Sequence, residues 1–202
     1  MRIYDISQEV FGGAVYPGDT RPEKDEAQSI RRGDACNLTD IRMCAHNGTH
    51  IDAPYHFFDE GKTVEQLEPE RFIGPAYVAE HTGELFAADA ERVLKAARAR
   101  DARSAERILI KGNAVVTADA ARVIAREGVK LFGNEAQTVG PEDAPAEVHR
   151  ILLGAGTVLL EGIRLSGVPE GVYLLHAAPL KLGGCDGAPC RATLMDGIEV
   201  SD

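Results

Sequence analysis

Short apolar runs alternate with amphipathic stretches over the last two thirds of the chain. Such runs are typical of buried strands, and apolar residues at helical spacing between them are typical of helices packed on a sheet. The predicted strands are Ala76–His81, Arg107–Lys111, Val129–Phe132, Thr157–Ile163 and Val172–Ala177. The predicted helices are Ala88–Ala99, Ala118–Glu127 and Pro145–Leu153. An order of strand, helix and strand requires at least one right-handed parallel crossover, so this part of the chain predicts an α/β fold.

The first third of the chain is richer in turns and is typical of antiparallel structure. Val15–Thr20 predicts a turn, because its proline fixes one backbone dihedral and its glycine supplies the other. Thr39–Ala45 alternates between apolar and polar residues, which predicts a half-buried strand. At 202 residues the chain is long enough to bury one hydrophobic core. We therefore expect a single mixed α/β domain over residues 1–202, with more than one sheet layer.

Acidic residues outnumber basic ones, with 32 Asp and Glu against 22 Lys and Arg and a formal net charge of −10. Nucleic-acid backbones and anionic membranes both select clustered basic residues, so neither is an expected partner. No apolar run approaches the roughly 20 residues of a membrane span, and Met1–Ser7 has no apolar signal region. The four cysteines form no CxxC pair. This favours reduced thiols, and we expect a cytoplasmic protein.

Three of the six histidines lie close together between His46 and His56. In a helix, His46 and His50 would share a face, but Pro54 would break the segment. In an extended chain alternate residues share a face, so the three histidines and Asp52 would all point the same way. The segment therefore favours an extended conformation.

This extended segment offers two imidazoles and one carboxylate to a metal ion. Gly48, between His46 and His50, leaves room for an ion to approach the backbone. Nitrogen and oxygen ligands without sulfur suit zinc, and also manganese, iron or cobalt. His56 lies just beyond and would be a neutral base at pH 7. A solvated strand face is the alternative for any single histidine, but three histidines in phase with Asp52 favour a metal site.

The segment His46–His56 resembles the HxGTHxDxPxH signature of the cyclase-like metal-dependent hydrolases, a family that includes bacterial kynurenine formamidases and isatin hydrolases. Four further segments are similar to family motifs: Tyr16–Asp19, Phe72–Ala76, Ala178–Leu182 and Gly184–Ala192. The resemblance spans nearly the whole chain. It implies the swivelling β/β/α fold of that family, with mixed sheets, and a homodimer or homotetramer.

The resemblance also implies site residues outside the histidine-rich segment. In the family a helix histidine and a glutamate twelve residues later, at a strand end, join the same cluster, and His149 and Glu161 match that pattern. A carboxylate that ends a buried strand is costly unless a cation or hydrogen-bond donors meet it. The family pattern predicts one divalent ion bound by His46, His50 and Asp52, and a second bound by His149 and Glu161 with Asp52 shared. We expect zinc, with manganese as the alternative, and a single ion is also compatible with the family.

The family's chemistry is hydrolysis of a small-molecule amide. A bound ion lowers the pKa of its water to about 7, and the resulting hydroxide attacks the amide carbonyl. The resemblance assigns His56 as the general acid/base that passes a proton to the leaving nitrogen. Glu161 could take that role if it does not bind metal.

Three departures from the family pattern concern the substrate. The chain has no tryptophan, and Tyr16 stands where kynurenine formamidases usually carry one, so we expect Tyr16 to contact the substrate. Gly112–Val116 is shorter than the matching family segment, which predicts a trimmed pocket wall. Glu135 and Thr138 replace an aspartate and a serine.

The hydrolytic residues are all present despite these departures. The sequence therefore predicts either an arylformamidase, which converts N-formylkynurenine to kynurenine and formate, or a related cyclic-amide hydrolase. The alternatives are a non-catalytic metal- or small-molecule-binding member of the family and a lyase or cyclase.

Overall fold

A computed structural model describes residues 1–197, so the last five residues of the domain expected over 1–202 lie outside the described residues. The strands of this part of the chain are β1 (Arg2–Asp5), β2 (Glu23–Gln28), β3 (Leu38–Arg42), β4 (His50–Asp52), β5 (Ile73–Glu80), β6 (Gly83–Leu85), β7 (Arg107–Lys111), β8 (Ala114–Val116), β9 (Leu131–Asn134), β10 (Val158–Glu161), β11 (Gly171–His176), β12 (Gly187–Pro189) and β13 (Thr193–Asp196). Its α-helices are α1 (Ala87–Arg100), α2 (Ala118–Arg126) and α3 (Ala146–Gly154).

Nine strands form one mixed sheet in the order β1-β13-β11-β5-β7-β9-β10-β4-β12. The four central strands β5, β7, β9 and β10 are parallel and are connected through the three helices. The flanking strands on both sides are antiparallel. Two small two-stranded sheets, β2-β3 and β6-β8, complete the architecture. The prediction of a mixed α/β fold with parallel crossovers is confirmed.

Each central strand is buried on both faces, as parallel strands between two layers usually are. On β10, Leu159 packs into the core beneath the helices, whereas Val158 and Leu160 pack into a second core on the other face of the sheet. The strands and helices predicted beyond residue 75 are all present, with bounds that differ by at most three residues. Within residues 1–197, none of the helices combines the length and the apolar character that crossing a bilayer requires.

The strand predicted over Thr39–Ala45 differs from the structure. It appears as β3, which pairs with β2 alone, and every residue of both strands is exposed. Ile41 is 60% exposed. The prediction of a half-buried strand is therefore wrong, because no residue of β2 or β3 belongs to either hydrophobic core and the apolar side chains of β3 remain open to solvent.

The predicted extended conformation of residues 46–56 holds only for β4. The amide of Asn47 donates to the carbonyl of Cys44 (3.2 Å) in a turn, and Gly48 follows with φ = +74°. Pro54–His56 forms a short 3-10 helix. His46 and His56 therefore do not reach their shared face by strand alternation. The turn before β4 and the 3-10 helix after it bring them there instead.

β4 is inserted between β10 and β12, and this pairing brings distant residues together. His50 lies opposite Glu161, and Asp52 lies opposite Leu159 on one side and Gly187 on the other. Ile51 faces the second core, so its neighbours His50 and Asp52 point to the helix side of the sheet. The edge of the sheet next to α3 therefore carries polar side chains in a buried position.

Candidate active site

Buried acidic and imidazole side chains converge between β4, β10 and α3. His50, Asp52, His149 and Glu161 expose only 1–3% of their surface. One face of β4 supplies the first two, the middle of α3 supplies His149, and the end of β10 supplies Glu161. Buried charges are costly unless they are paired or bind a cation, so this cluster requires a specific explanation.

His50 and His149 are oriented in the same way. The Nδ1–H of His50 donates to the carbonyl of Gly48 (3.1 Å), and that of His149 donates to the carbonyl of Pro145 (2.9 Å). The Nε2 atom of each ring consequently points at carboxylates. His50 Nε2 lies 3.3 Å from an oxygen of Asp52, and His149 Nε2 lies 3.2 Å from an oxygen of Glu161. Metal-binding histidines are typically held through the other ring nitrogen in this manner.

His46 lies between two carboxylates. Its Nδ1 is 2.8 Å from Asp52 and its Nε2 is 2.8 Å from Asp186. Gly187 leaves space for the ring, because a Cβ on this glycine would come within 2.9 Å of His46 Cε1. His56 completes the group, with Nδ1 2.9 Å from the same oxygen of Asp186. All six residues expected at the site, including His149 and Glu161, thus lie together.

Asp186 is the residue that the sequence analysis did not assign. It contacts His46 and His56, which are far from it along the chain. The available signal was its place in Gly184–Ala192, a segment quoted for its similarity to a family motif. A carboxylate within such a segment, next to a glycine that β12 places against β4, was a candidate partner for the histidines.

The carboxylates shift the pKa values of the three buried histidines upward. Burial lowers the pKa of His46, but the charge of Asp52 and the hydrogen bond to Asp186 outweigh it and raise the value to about 11. Burial also lowers the pKa of His50 and of His149, but Asp52 and Glu161 outweigh it. They raise the pKa of His50 to about 9 and that of His149 to about 10. Burial raises the pKa of Asp52, but the charge of His46 and the close approach of the imidazoles of His149, His46 and His50 hold it well below its usual range.

The donor set fits a divalent cation. His50 Nε2 and Asp52 Oδ2 are buried and have no hydrogen-bond partner, so both atoms are available to bind a cation that displaces the proton from His50. Groups of three ligand atoms within 4.8 Å of one another are formed by His46, His50 and Asp52 and by Asp52, His149 and Glu161. These are the two sets that the family pattern predicts. Nitrogen and oxygen donors of this kind suit zinc or manganese.

A pocket of about 270 Å³ opens onto this cluster. Tyr16, expected to contact the substrate, is one of its walls, and its hydroxyl donates to the carbonyl of Glu142 (2.8 Å). Phe57 forms another wall, with its ring centroid 4.7 Å from that of His56 and 4.9 Å from that of His149. Two aromatic rings therefore border the polar cluster, an arrangement suited to a flat aromatic substrate.

The raised histidine pKa values predict how the metal-free protein responds to pH. A histidine whose pKa is higher in the folded than in the unfolded protein stabilises the fold, and this stabilisation is complete below the unfolded pKa of about 6.5. This contribution declines as pH rises towards the folded values of about 9 to 11. We expect the Tm of metal-free protein to fall between pH 7 and pH 10, and zinc affinity to rise over the same interval as metal displaces protons. Calorimetry with the zinc-loaded protein as the control tests this, and a Tm that stays flat or rises in the metal-free sample would contradict it.

Comparison with known proteins agrees with the site. Residues 4–141 match the family model Cyclase, described as "Putative cyclase". The kynurenine formamidase of Salinibacter ruber is 37% identical over 212 aligned residues, covering 97% of this chain and 98% of that protein. A solved structure described as a potential metal-dependent hydrolase with cyclase activity has a TM-score of 0.81 at 28% identity, covering 98% of this chain and 99% of the other. Isatin hydrolase A from Labrenzia aggregata shares the fold, with a TM-score of 0.80 at 24% identity and coverage of 96% and 93%.

The fold and these relatives define a metal-dependent hydrolase. The chain belongs to the Cyclase family, whose model covers more than half of it. The resemblance to this family that the sequence predicted is thereby confirmed.

Proposed function

We propose that this protein is an arylformamidase that hydrolyses N-formylkynurenine to kynurenine and formate. In class it is a metal-dependent amide hydrolase that acts on a C–N bond other than a peptide bond. The observation that carries the proposal is the buried convergence of His50 Nε2, His149 Nε2 and the carboxylates of Asp52 and Glu161. The similarity to kynurenine formamidases over nearly the full length of the chain supports the substrate.

The metal ligands of this proposal are His46, His50, Asp52, His149 and Glu161. Asp52 belongs to both triads, the ligand sets His46–His50–Asp52 and Asp52–His149–Glu161, and its two oxygens lie near the imidazoles of both. A divalent cation held by these residues would supply Lewis acidity, which would polarise the amide carbonyl and activate water at neutral pH. Zinc is the proposed ion and manganese the alternative. Metal analysis by mass spectrometry on untagged protein distinguishes the two.

His56 is the proposed general acid/base. Asp186 accepts a hydrogen bond from its Nδ1 (2.9 Å), which leaves Nε2 as the atom that can carry a proton in the pocket. Hydrolysis of a formamide moves one proton from the attacking water to the leaving nitrogen, and His56 Nε2 would accept that proton from the water and deliver it to the nitrogen. Tyr16 and Phe57 hold the aryl ring, while the partly closed pocket limits access of bulk water.

The decisive assay compares substrates on chelated protein reloaded with zinc or manganese. We expect N-formylkynurenine to be hydrolysed with release of formate, and activity to disappear on chelation and return with metal. Preferential cleavage of isatin would favour the cyclic-amide alternative. Binding of metal without turnover of any amide or ester in a broad panel would favour a non-catalytic member, and elimination or ring closure without uptake of water would favour a lyase or cyclase.

The β2-β3 ribbon supports a proposed homodimer or homotetramer. A two-stranded ribbon is at best marginally stable alone in water, yet Ile30, Leu38 and Ile41 expose 48–60% of their surface here. Leu38 and Ile41 point to opposite faces of β3, and a second copy of the chain packed on the Ile41 face would bury Ile41. We expect wild-type protein to have at least twice the monomer mass in light scattering, and Ile41→Glu to shift it to the monomer. Asp40→Lys, on the opposite face of β3, is the control and should leave the mass unchanged. An unchanged mass in Ile41→Glu would exclude this face of the ribbon as the interface.

We also propose a cytoplasmic location. Cys36, Cys44, Cys185 and Cys190 are all free thiols, which fits a reducing compartment. Cell fractionation with a periplasmic marker tests the proposal, and enrichment outside the cytoplasmic fraction would contradict it.

A further inference from the structure

A side cavity of about 310 Å³ adjoins the candidate active site. The two cavities share Tyr16, Gln137 and Thr138 as lining residues. Another part of the lining is Asn113–Val115, which lies in the segment predicted to be trimmed relative to the family. The short segment therefore borders an open space, and a substrate held in the active site can extend into it.

Arg164 brings a positive charge to the side cavity. Its Nη1 donates to the carbonyls of Glu135 (3.0 Å) and Ile163 (2.8 Å), and its Nη2 donates to Gln8 Oε1 (2.7 Å). These acceptors are all neutral, and within residues 1–197 no carboxylate forms an ion pair with Arg164. The positive charge of this half-buried guanidinium is therefore not neutralised by a protein carboxylate and is available to pair with an anionic group of a ligand.

Gln137 lies where the two cavities meet. Both atoms of its side-chain amide are buried and have no hydrogen-bond partner, and the same is true of Gln8 Nε2. Because Gln8 Oε1 accepts from Arg164, the orientation of the Gln8 amide is fixed and its Nε2 lies on the other side. The Nε2 atoms of both glutamines lie 2.4 Å from the place that a Cβ on Gly162 would take. Turning the Gln137 amide over would place its Oε1 on the side of Gln8 Nε2 and leave its Nε2 as a donor for a ligand oxygen.

Two acidic residues also line the side cavity. The carboxylate of Glu135 is fully used, since it accepts from the amides of Gly112 (2.7 Å) and Leu165 (2.8 Å). Glu142 is exposed. A site with one arginine and acidic neighbours can attract both a carboxylate and an ammonium group. It therefore suits a ligand that carries both groups better than it suits a simple anion.

We propose that the side cavity binds the α-amino acid end of the substrate, with Arg164 pairing with its carboxylate and Gln137 donating from Nε2 to an oxygen of the same tail. The inference rests on the proposed function, because N-formylkynurenine carries such a tail beside its formamide. A cyclic amide such as isatin has none. The side cavity thus selects the open-chain amino acid substrate over the cyclic one.

A comparison of two substrates on two proteins tests this selection. Formanilide has the aryl formamide of N-formylkynurenine without the tail. We expect Arg164→Gln to lower kcat/KM for N-formylkynurenine about 10- to 100-fold, mainly through KM. Its effect on formanilide should stay within about threefold. Arg164→Lys should recover part of the loss, and the exposed Arg122→Gln should change neither substrate. An equal loss on both substrates, or no loss on either, would overturn the proposal.

Binding of the product provides a readout independent of turnover. Zinc-loaded wild-type protein should bind kynurenine at least about 10-fold more tightly than 2-aminoacetophenone, which lacks the tail. Arg164→Gln and Gln137→Ala should both abolish that difference in calorimetry while leaving the Tm near that of the wild type. If neither formamide is hydrolysed, the proposed function is wrong. The binding comparison still shows whether the side cavity binds the amino acid tail. Equal affinity of the wild type for both amines would overturn the inference.

Discussion

Asp52→Asn is expected to remove the metal and nearly all activity. Asp52 is 1% exposed, and its oxygens lie 2.8 Å from His46 Nδ1, 3.3 Å from His50 Nε2 and 3.6 Å from His149 Nε2. An amide of the same shape offers one oxygen without charge, so both proposed triads lose their common ligand. Because metal catalysis contributes several kcal/mol, we expect kcat/KM to fall at least about a thousandfold. Metal content measured by mass spectrometry should fall in parallel.

The same substitution should weaken the metal-free fold. Removing one partner of a buried charged group leaves the others uncompensated, at a cost of about 3–5 kcal/mol. Circular dichroism and chemical unfolding therefore accompany the activity assay. Asp25→Asn, on the exposed ribbon, is the matched control and should change neither metal content nor stability. Wild-type activity in a folded Asp52→Asn protein would contradict the assignment of Asp52.

His56→Ala is expected to separate turnover from metal binding. The side chain of His56 is 30% exposed, faces the pocket and contacts Asp186. This exposure suits a group that transfers protons to a substrate better than it suits a buried metal ligand. Loss of general acid/base catalysis lowers kcat about 10²- to 10⁴-fold. KM and metal content should stay close to the wild type, because the proposed ligands are untouched.

His56 could instead be a metal ligand, and the same experiment distinguishes the two roles. His46, His56 and Asp186 also lie close enough together to bind an ion. If His56→Ala loses its metal together with its activity, His56 is a ligand and the proton carrier lies elsewhere. His176→Ala, an exposed histidine at the end of β11, is the matched control and should retain full turnover.

The central strands could be predicted from sequence because burial on both faces leaves a simple pattern. β7 has the bounds predicted for it, since Ile108, Leu109 and Ile110 form an uninterrupted apolar run that must be covered on both sides. The β2-β3 ribbon could not be predicted in the same way. The alternation in β3 is real, but alternation reports only which residues share a face and not whether anything packs on that face.

The site shows a similar division. His50 and Asp52 share a face of β4 as alternation predicts, whereas His46 and His56 arrive through a turn and a 3-10 helix. Asp186 was missed because its contact with His46 joins residues 140 positions apart. The pairing of β4 with β12 creates that contact, and no local sequence pattern encodes which strand will lie at the neighbouring edge.

Anomalous diffraction from zinc-loaded crystals tests the central claim most directly, because it locates the ion without reference to activity. The proposal predicts a peak within bonding distance, about 2.0–2.2 Å, of His50 Nε2 and of an oxygen of Asp52. If a second ion binds, a second peak should lie beside His149 and Glu161. A catalytically active crystal form whose only peak lies away from these four side chains would contradict the account.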